Sequence, residues 1–420
     1  MTIPRRSALA ATLLGTAAAL LPAPSAQAHA RVDHPDGTAA PDPEQARLAD
    51  ARTTALTRRA ALDTFTARFP AALAGTRTPA EAEDLVRAWG EALFRSAVDR
   101  AQGQRPGGDL PAADDRPLYW TRLAMTVQLD SWRPGFAVDR AALRARFEDC
   151  SRGLTGNAFT GRPGLRRIFV SGFDPFGLDQ EIRRANPSGS AALQLNGRRI
   201  TLADGTRAEL RSVVLPVRYG DFDRGIVERA FGPRMAAGPL AAHAVTSISQ
   251  GYPGLFTLEE WAARARSADP YPDNTGALSG GTYDHPVPPA GVGPGAEFIR
   301  TTLPADAVTA AVQEPYPVRL NPTVTEIPAG QDAPVDREDG PTPGSRAVAG
   351  GGGGYLSNEV AYRSNRLRLE LAPRLPGGHL HTPVLTGLPA DPALLTGPEF
   401  EANERAITDE VLAVLTHYAL

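Results

Sequence analysis

The 420-residue chain contains no lysine; its 44 basic residues are all arginine. That absence removes a P-loop lysine, a Schiff-base lysine and a Ser–Lys dyad from the available chemistry. Cysteine occurs once, at Cys150, so there is no internal disulfide. A net charge of −3 supplies no basic field for nucleic acid or for an anionic membrane. Beyond the N-terminal segment no apolar run is long enough to span a bilayer, and no internal repeat is present. What remains is an ordinary globular composition, 42% hydrophobic and 22% charged. The length suits two domains, or one large domain with an addition. The abundance of Ala, Gly, Pro and Arg reads as coding bias more than as function.

Residues 1–30 read as an export signal. Arg5 and Arg6 precede an apolar stretch from Ala8 to Leu21, and Ala26-Gln27-Ala28 and Ala28-His29-Ala30 are both small-x-small cleavage sites. The arginine pair favours the twin-arginine route over ordinary secretion. The mature protein is therefore expected outside the cytoplasm. Residues 31–43, rich in Pro, Asp and Ala, read as a flexible leader.

Residues 44–160 read as a helical module of about four helices. Leu48, Ala55, Leu62 and Phe69 recur at sevens on one face. Thr78-Pro79-Ala80-Glu81 is a capping box with proline at the first helical position. Leu85, Trp89 and Phe94 follow as an apolar stripe, and residues 115–130 and 138–150 suggest two more helices. Leu143, Phe147 and Cys150 share a face, which makes Cys150 a buried residue and a poor nucleophile. Nothing in this region carries chemistry, so a packing or cap role is expected.

From residue 161 to 420 short apolar runs alternate with helical patterns, which predicts an α/β domain. Strands are expected at 167–171, 212–215, 245–249, 317–320 and 380–385. Helices are expected at 187–195, 222–230, 305–312, 357–371 and 399–418. The Pro/Gly/Asp-rich stretch 322–350 has no period and reads as an inserted surface loop. Gly350 to Gly354 lacks the Gly-Lys step of a phosphate loop and reads as a flexible hinge.

The most informative stretch runs from Arg167 to Gly177, followed by Asn186-Pro187-Ser188. An apolar run ends in a loop holding Phe173 and Phe176, stiffened by Gly172, Pro175 and Gly177. Two aromatics on a stiff loop at a strand end form a slot for a small flat ligand. This opening resembles pyroglutamyl peptidase type I, a cysteine-peptidase family with the motifs G-F-x-P-F-G and N-P-S.

The resemblance continues in order down the chain. Val214 to Val217 is similar to L-P-V, and Ser247-Ile248-Ser249-Gln250-Gly251 to S-L-G-Q-A. Thr257-Leu258-Glu259 resembles T-x-E, and Pro272-Asp273-Asn274 matches P-D-N. Gly293-Pro294 and Thr302-Leu303-Pro304 match G-P and T-L-P. Gly354 to Asn358 aligns with G-x-Y-x-C-N, and Gly378 to Pro383 with G-x-x-H-x-P. The resemblance implies a three-layer α/β/α sandwich preceded by the helical module, and a catalytic set of Glu259, His381 and Ser357. Serine stands where the family has its nucleophilic cysteine. It also implies that Phe173 and Phe176 sandwich the ring and that Gln250 helps hold it. The substrate would be a peptide or small lactam, with no cofactor, metal, nucleic acid or membrane involved; nothing indicates an oligomeric state.

Physical chemistry permits the serine. At a helix start, free N–H groups and the positive dipole end favour an oxyanion. A hydroxyl, unlike a thiol, depends wholly on the histidine as base. Two departures stand against the resemblance. The family's Gly-Gly-Arg before T-x-E is replaced by Gly251 to Phe256 without arginine, and its Asn-His after the nucleophile is Asn358-Glu359.

Three other readings compete. Ser357 is also a good helix N-cap residue. Ser247-x-Ser249-x-Gly251 half-resembles a nucleophile elbow, with Asp273 and His381 following in hydrolase order. His379 beside His381 suggests a metal pair, which is disfavoured here by placing the two rings on opposite faces of a strand. At the level of function, the chain reads as an exported hydrolase removing N-terminal pyroglutamate or a similar acyl group. The alternative is an inactive homologue that keeps the ring slot and acts as a binding protein.

Overall fold

The structure is a computed structural model that describes residues 42–105 and 107–418; the signal and most of the leader lie outside these residues. The described chain begins with helices α1 (Pro43–Ala46), α2 (Ala51–Arg59), α3 (Asp63–Ala74), α4 (Pro79–Ala101), α5 (Arg116–Ser131) and α6 (Arg140–Ser151). This is more than the four expected, because the run of sevens is broken. Asp50 caps α2 by accepting from the Arg52 amide at 2.9 Å, and the chain turns at Ala61 with φ of 54°. Leu62 and Phe69 are nevertheless buried in one core. Thr78 accepts from the Glu81 amide at 3.2 Å, and Glu81 reaches back to the Arg77 amide at 2.7 Å. Helices α4 and α6 approach so closely that a Cβ on Gly90 would lie 2.7 Å from that of Cys150. Cys150 is buried there, and burial pushes its thiol pKa up.

The α/β part follows as β1 (Leu165–Phe173), α7 (Pro187–Leu195), β2 (Arg199–Thr201), β3 (Arg207–Leu215), α8 (Tyr219–Asp223), α9 (Ile226–Met235) and β4 (Ala244–Gln250). It continues with β5 (Phe256–Glu259), β6 (Trp261–Ala263), β7 (Phe298–Arg300), α10 (Ala305–Ala311) and β8 (Val318–Asn321). Last come β9 (Val324–Ile327), β10 (Val335–Arg337), β11 (Arg346–Ala349), α11 (Leu356–Leu371), β12 (Gly377–Thr382) and α12 (Pro398–Thr416). The main sheet has seven strands in the order β2-β3-β1-β4-β12-β5-β8. Its centre, β3-β1-β4-β12, is parallel, while β2 and β5 run antiparallel to β3 and β12.

Central strands buried on both faces read as continuous apolar runs, as Ile168-Phe169-Val170 does. Ile168 and Val170 pack on one face with α7, α10 and α12, through Ala191, Val308, Ile407 and Val411. Phe169 and Phe173 pack on the other with α9 and α11, through Phe231 and Val360. The result is the expected three-layer sandwich. Each such fully buried side chain is worth about 1.5–3 kcal/mol of transfer free energy.

Two readings of this half need correction. Residues 322–350 are not a bare loop: β9 pairs with β10 and β11 in an antiparallel three-stranded sheet. Its strands are three or four residues long, too short to show a period. The glycine run is no hinge either. A Cβ on Gly351 would fall 1.9 Å from Glu259 Oε2, and one on Gly354 would fall 2.0 Å from Ser267 Oγ. Glycine is required there for close approach, not for freedom.

Candidate active site

The parallel strands end where β1, β4 and β12 deliver their last residues beside the start of α11, the usual position of a ligand site in an open α/β sheet. A small pocket lies there, lined by Phe173, Phe176, Asn186, Val217, Ser249, Gln250, Tyr355, Leu356 and Ser357. Four of the expected residues, Phe173, Phe176, Gln250 and Ser357, thus share one cavity. The Phe173 ring stacks on Phe222, with centroids 6.2 Å apart and planes 8° apart, so it belongs to the core as well as to the pocket. Gln250 Oε1 accepts from the Leu385 amide at 3.2 Å, which orients its nitrogen as a donor.

Glu259 and His381 do not line the cavity, but they meet each other. His381 Nδ1 lies 2.7 Å from Glu259 Oε1, and both residues are buried. Thr257 donates to the same carboxylate oxygen, and Asn321 Nδ2 donates to Oε2 at 2.7 Å. Such a carboxylate orients the imidazole and fixes Nδ1 as the protonated nitrogen. Its neighbour Glu260 takes no part and pairs with Arg300 at 2.6 Å.

Ser357 is the second residue of α11, not its cap. The cap position is Tyr355, which makes no side-chain capping bond. The Ser357 hydroxyl donates to Gly352 O at 2.8 Å, and among the described residues it has no hydrogen bond to His381. Gly352 sits between the two: a Cβ on it would lie 3.3 Å from His381 Cε1. The amides of Leu356, Ser357 and Asn358 donate to no acceptor among the described residues, as expected for a helix N-terminus. Leu356 and Ser357 form part of the cavity wall.

The second departure, Glu359, and the Asn358 before it have structural roles. Asn358 is consumed by the backbone of β6, accepting from Ala263 N at 2.8 Å and donating to Ala263 O at 2.9 Å. Glu359 pairs with Arg266 at 2.6 Å and with Arg363 at 2.7 Å.

His379 is the residue the sequence reading missed. Residues two apart on a strand share a face, so His379 and His381 stand side by side, with ring centroids 4.6 Å apart, not on opposite faces. Neither ring has the other's role. His379 lies between Ser247 Oγ, 2.8 Å from Nδ1, and Ser249 Oγ, 2.8 Å from Nε2. Burial, with the neighbouring His381, holds its pKa well below the usual histidine range. The elbow reading of Ser249 fails in detail. No helix follows Gly251, and Asp273 is used up by the Tyr219, Thr275 and Ala277 amides.

A group of three acids whose carboxylates lie close together stands elsewhere: Asp114, Asp115 and Glu404, all buried. Each is already engaged, by Arg116 at 2.7 Å, by the Asn186 amide at 3.2 Å and by Ser190 at 2.8 Å respectively. Burial and mutual repulsion push Asp115 well up and Glu404 up to about 8.

These features define an α/β/α protein with a small apolar pocket at the strand ends, flanked by a buried carboxylate–imidazole pair and a helix-start serine. Residues 25–148 match the family described as the PA0049 N-terminal domain, and residues 167–293 and 309–386 match the PA0049 C-terminal domain. The chain is 33% identical to the protein PA0049 of Pseudomonas aeruginosa, over 81% of this chain and 79% of that one. It belongs to the PA0049 family. Among solved structures it is similar to a mutant pyrrolidone carboxyl peptidase of Pyrococcus furiosus, with 19% identity and a TM-score of 0.39, over 60% of this chain and 97% of that one. The pyrrolidone carboxyl peptidase of Fervidobacterium islandicum gives 18% identity and a TM-score of 0.39, over 60% and 100%.

Proposed function

We propose that the chain is an exported hydrolase that removes an N-terminal pyroglutamyl or similar small lactam acyl group from peptides. The observation that carries this reading is the 2.7 Å Glu259–His381 pair beside Gly352, against which Ser357 is also held at the edge of the aromatic pocket. Ser357 exchanges its bond to Gly352 O for one to His381 Nε2. Its oxygen then bonds to the acyl carbon as its proton passes to Nε2. The C–N bond breaks as that proton moves to the leaving amine. Water, deprotonated by the same imidazole, releases the acyl group and restores Ser357. Glu259 keeps the ring in the required tautomer, and the free amides at the start of α11 receive the developing oxyanion. Phe173 and Phe176 enclose the ring, with Gln250 as a donor to it.

A second reading has its own support. Ser357 hydrogen-bonds a carbonyl instead of the base, as expected for a pocket that binds its ligand without turnover. Hydrolysis of a chromogenic pyroglutamyl amide separates the two. The proposal expects turnover that Ser357→Ala abolishes, that iodoacetamide leaves untouched because Cys150 is buried, and that Ser357→Cys raises. Binding of pyroglutamate with no turnover by the folded wild type establishes the binding protein.

A further inference from the structure

Three buried side chains that the proposed mechanism does not use form one hydrogen-bonded row ending in the pocket. The row is Ser247, His379 and Ser249, and Ser249 lines the cavity. Ser247 and Ser249 share a face of β4, and His379 lies on β12 directly opposite Ser247 in the parallel register. The direction of the hydrogens in this row decides what the pocket sees.

Only two arrangements satisfy a neutral ring. In one, the Ser247 hydroxyl donates to Nδ1 and Nε2–H donates to Ser249. The hydrogen of Ser249 then has no acceptor among the described residues. In the other, the Ser247 hydroxyl donates to Gly378 O, 3.4 Å away, Nδ1–H donates to Ser247, and Ser249 donates to Nε2. Every hydrogen in the row then has a partner, the condition buried polar groups ordinarily meet. The desolvated ring stays neutral, so it does not become a donor at both nitrogens. Ser249 consequently presents oxygen lone pairs, and no hydrogen, to the cavity.

We infer that Ser249, with its proton tied to His379, is the acceptor by which this pocket selects a ring bearing an N–H, a lactam over a lactone. The inference rests on the pocket reading given above and assigns the specificity of that site. Ser249 stands at the position where the resembling motif S-L-G-Q-A has glycine, which offers no such group. A lactam N–H completes the row. A lactone sets its ring oxygen against the Ser249 oxygen, acceptor against acceptor, and leaves both unpaired, which costs on the order of tenfold or more in affinity.

The experiment is calorimetric binding of free pyroglutamate and of its lactone isostere, 5-oxotetrahydrofuran-2-carboxylate, to the full chain. The wild type is expected to favour the lactam by about tenfold or more. Ser249→Ala, with Ser249→Gly as the second variant if alanine melts early, should lose that preference, by weakening lactam binding and by relieving the lactone of the opposed oxygen. His379→Phe frees the Ser249 hydrogen to donate, so the lactone should gain on the lactam. An unchanged lactam-to-lactone ratio in the Ser249 variants overturns the inference, as does trapping of an acyl group on Ser249. Wild type that hydrolyses pyroglutamyl amides yet shows no Ser249-dependent ratio refutes this inference and leaves the proposed function standing. A Ser249-dependent ratio without turnover does the reverse. Binding of neither ring refutes this inference, and amide turnover then decides the proposed function by itself.

Discussion

Around Asp174 the protein buries arginines against carboxylates; around His381 it buries two imidazoles, hydroxyls and a single carboxylate. Asp174, between the two pocket phenylalanines, meets Arg122 of α5 at 2.5 Å and Arg152 at the end of α6 at 2.6 Å. Arg152 also pairs with Glu148 at 2.9 Å, and Arg218 joins Glu148 at 2.8 Å, Asp221 at 3.0 Å and Glu44 at 3.5 Å. Three arginines hold the Glu148 carboxyl well below the usual carboxylate range, against the effect of its burial. Removing a member of such a network strands a buried charge, and the network fixes the aromatic loop to the helical segment. The His381 cluster sets one carboxylate among two imidazoles and hydroxyls. One cluster ties its loop down with paired charges, and the other holds its imidazoles by hydrogen bonds.

Three measurements break or sharpen this contrast, in decreasing order of effect. His381→Ala should lower pyroglutamyl-amide hydrolysis on the order of 10³-fold, the scale of a lost general base, while pyroglutamate binding persists. Steady-state rates and calorimetry on one preparation check it; retention of most activity sinks the role of His381. Asp174→Ala should strip Arg122 of its closest carboxylate, leave Arg152 to Glu148 alone and cost about 3–5 kcal/mol of stability. Urea unfolding reads that loss, and a loss below 1 kcal/mol would show that the arginines find solvent or other partners. The smallest effect is one of pH, at Glu404. Its folded pKa is raised from 4.5 to about 8, so its contribution is full below 4.5, falls as pH rises and is gone above about 8. Glu404→Gln should therefore gain stability relative to wild type from pH 5 to pH 9 in urea melts, and a gap that stays constant rejects the assignment.

The amount legible in advance differed between the two clusters for a physical reason. The candidate site residues lie at strand ends and a helix start, where local sequence sets position. Phe173 and Phe176 share one loop, and Ser357 sits where a glycine run meets a helical pattern. His381 and Glu259 were found through the order of short motifs, although β5, which carries Glu259, was missed as a strand. Phe256 to Glu259 spans four residues, all buried, and so shows no alternation. The arginine network left no signal, since Arg122, Arg152 and Arg218 are scattered among 44 arginines and only tertiary packing selects them. Asn321 on Glu259 was invisible for the same reason.

Periodicity and composition alone determined the helical segment, the α/β character that follows and the single buried thiol, because each depends on neighbours within a turn or a strand. The resemblance supplied the candidate residues but not their contacts. Only the tertiary structure decided that the glycine run is tight packing, that residues 322–350 form strands, and that His379 and His381 stand on one face with different partners. Those outcomes turn on atoms far apart in the chain meeting within a few ångströms, and no local pattern encodes such distances.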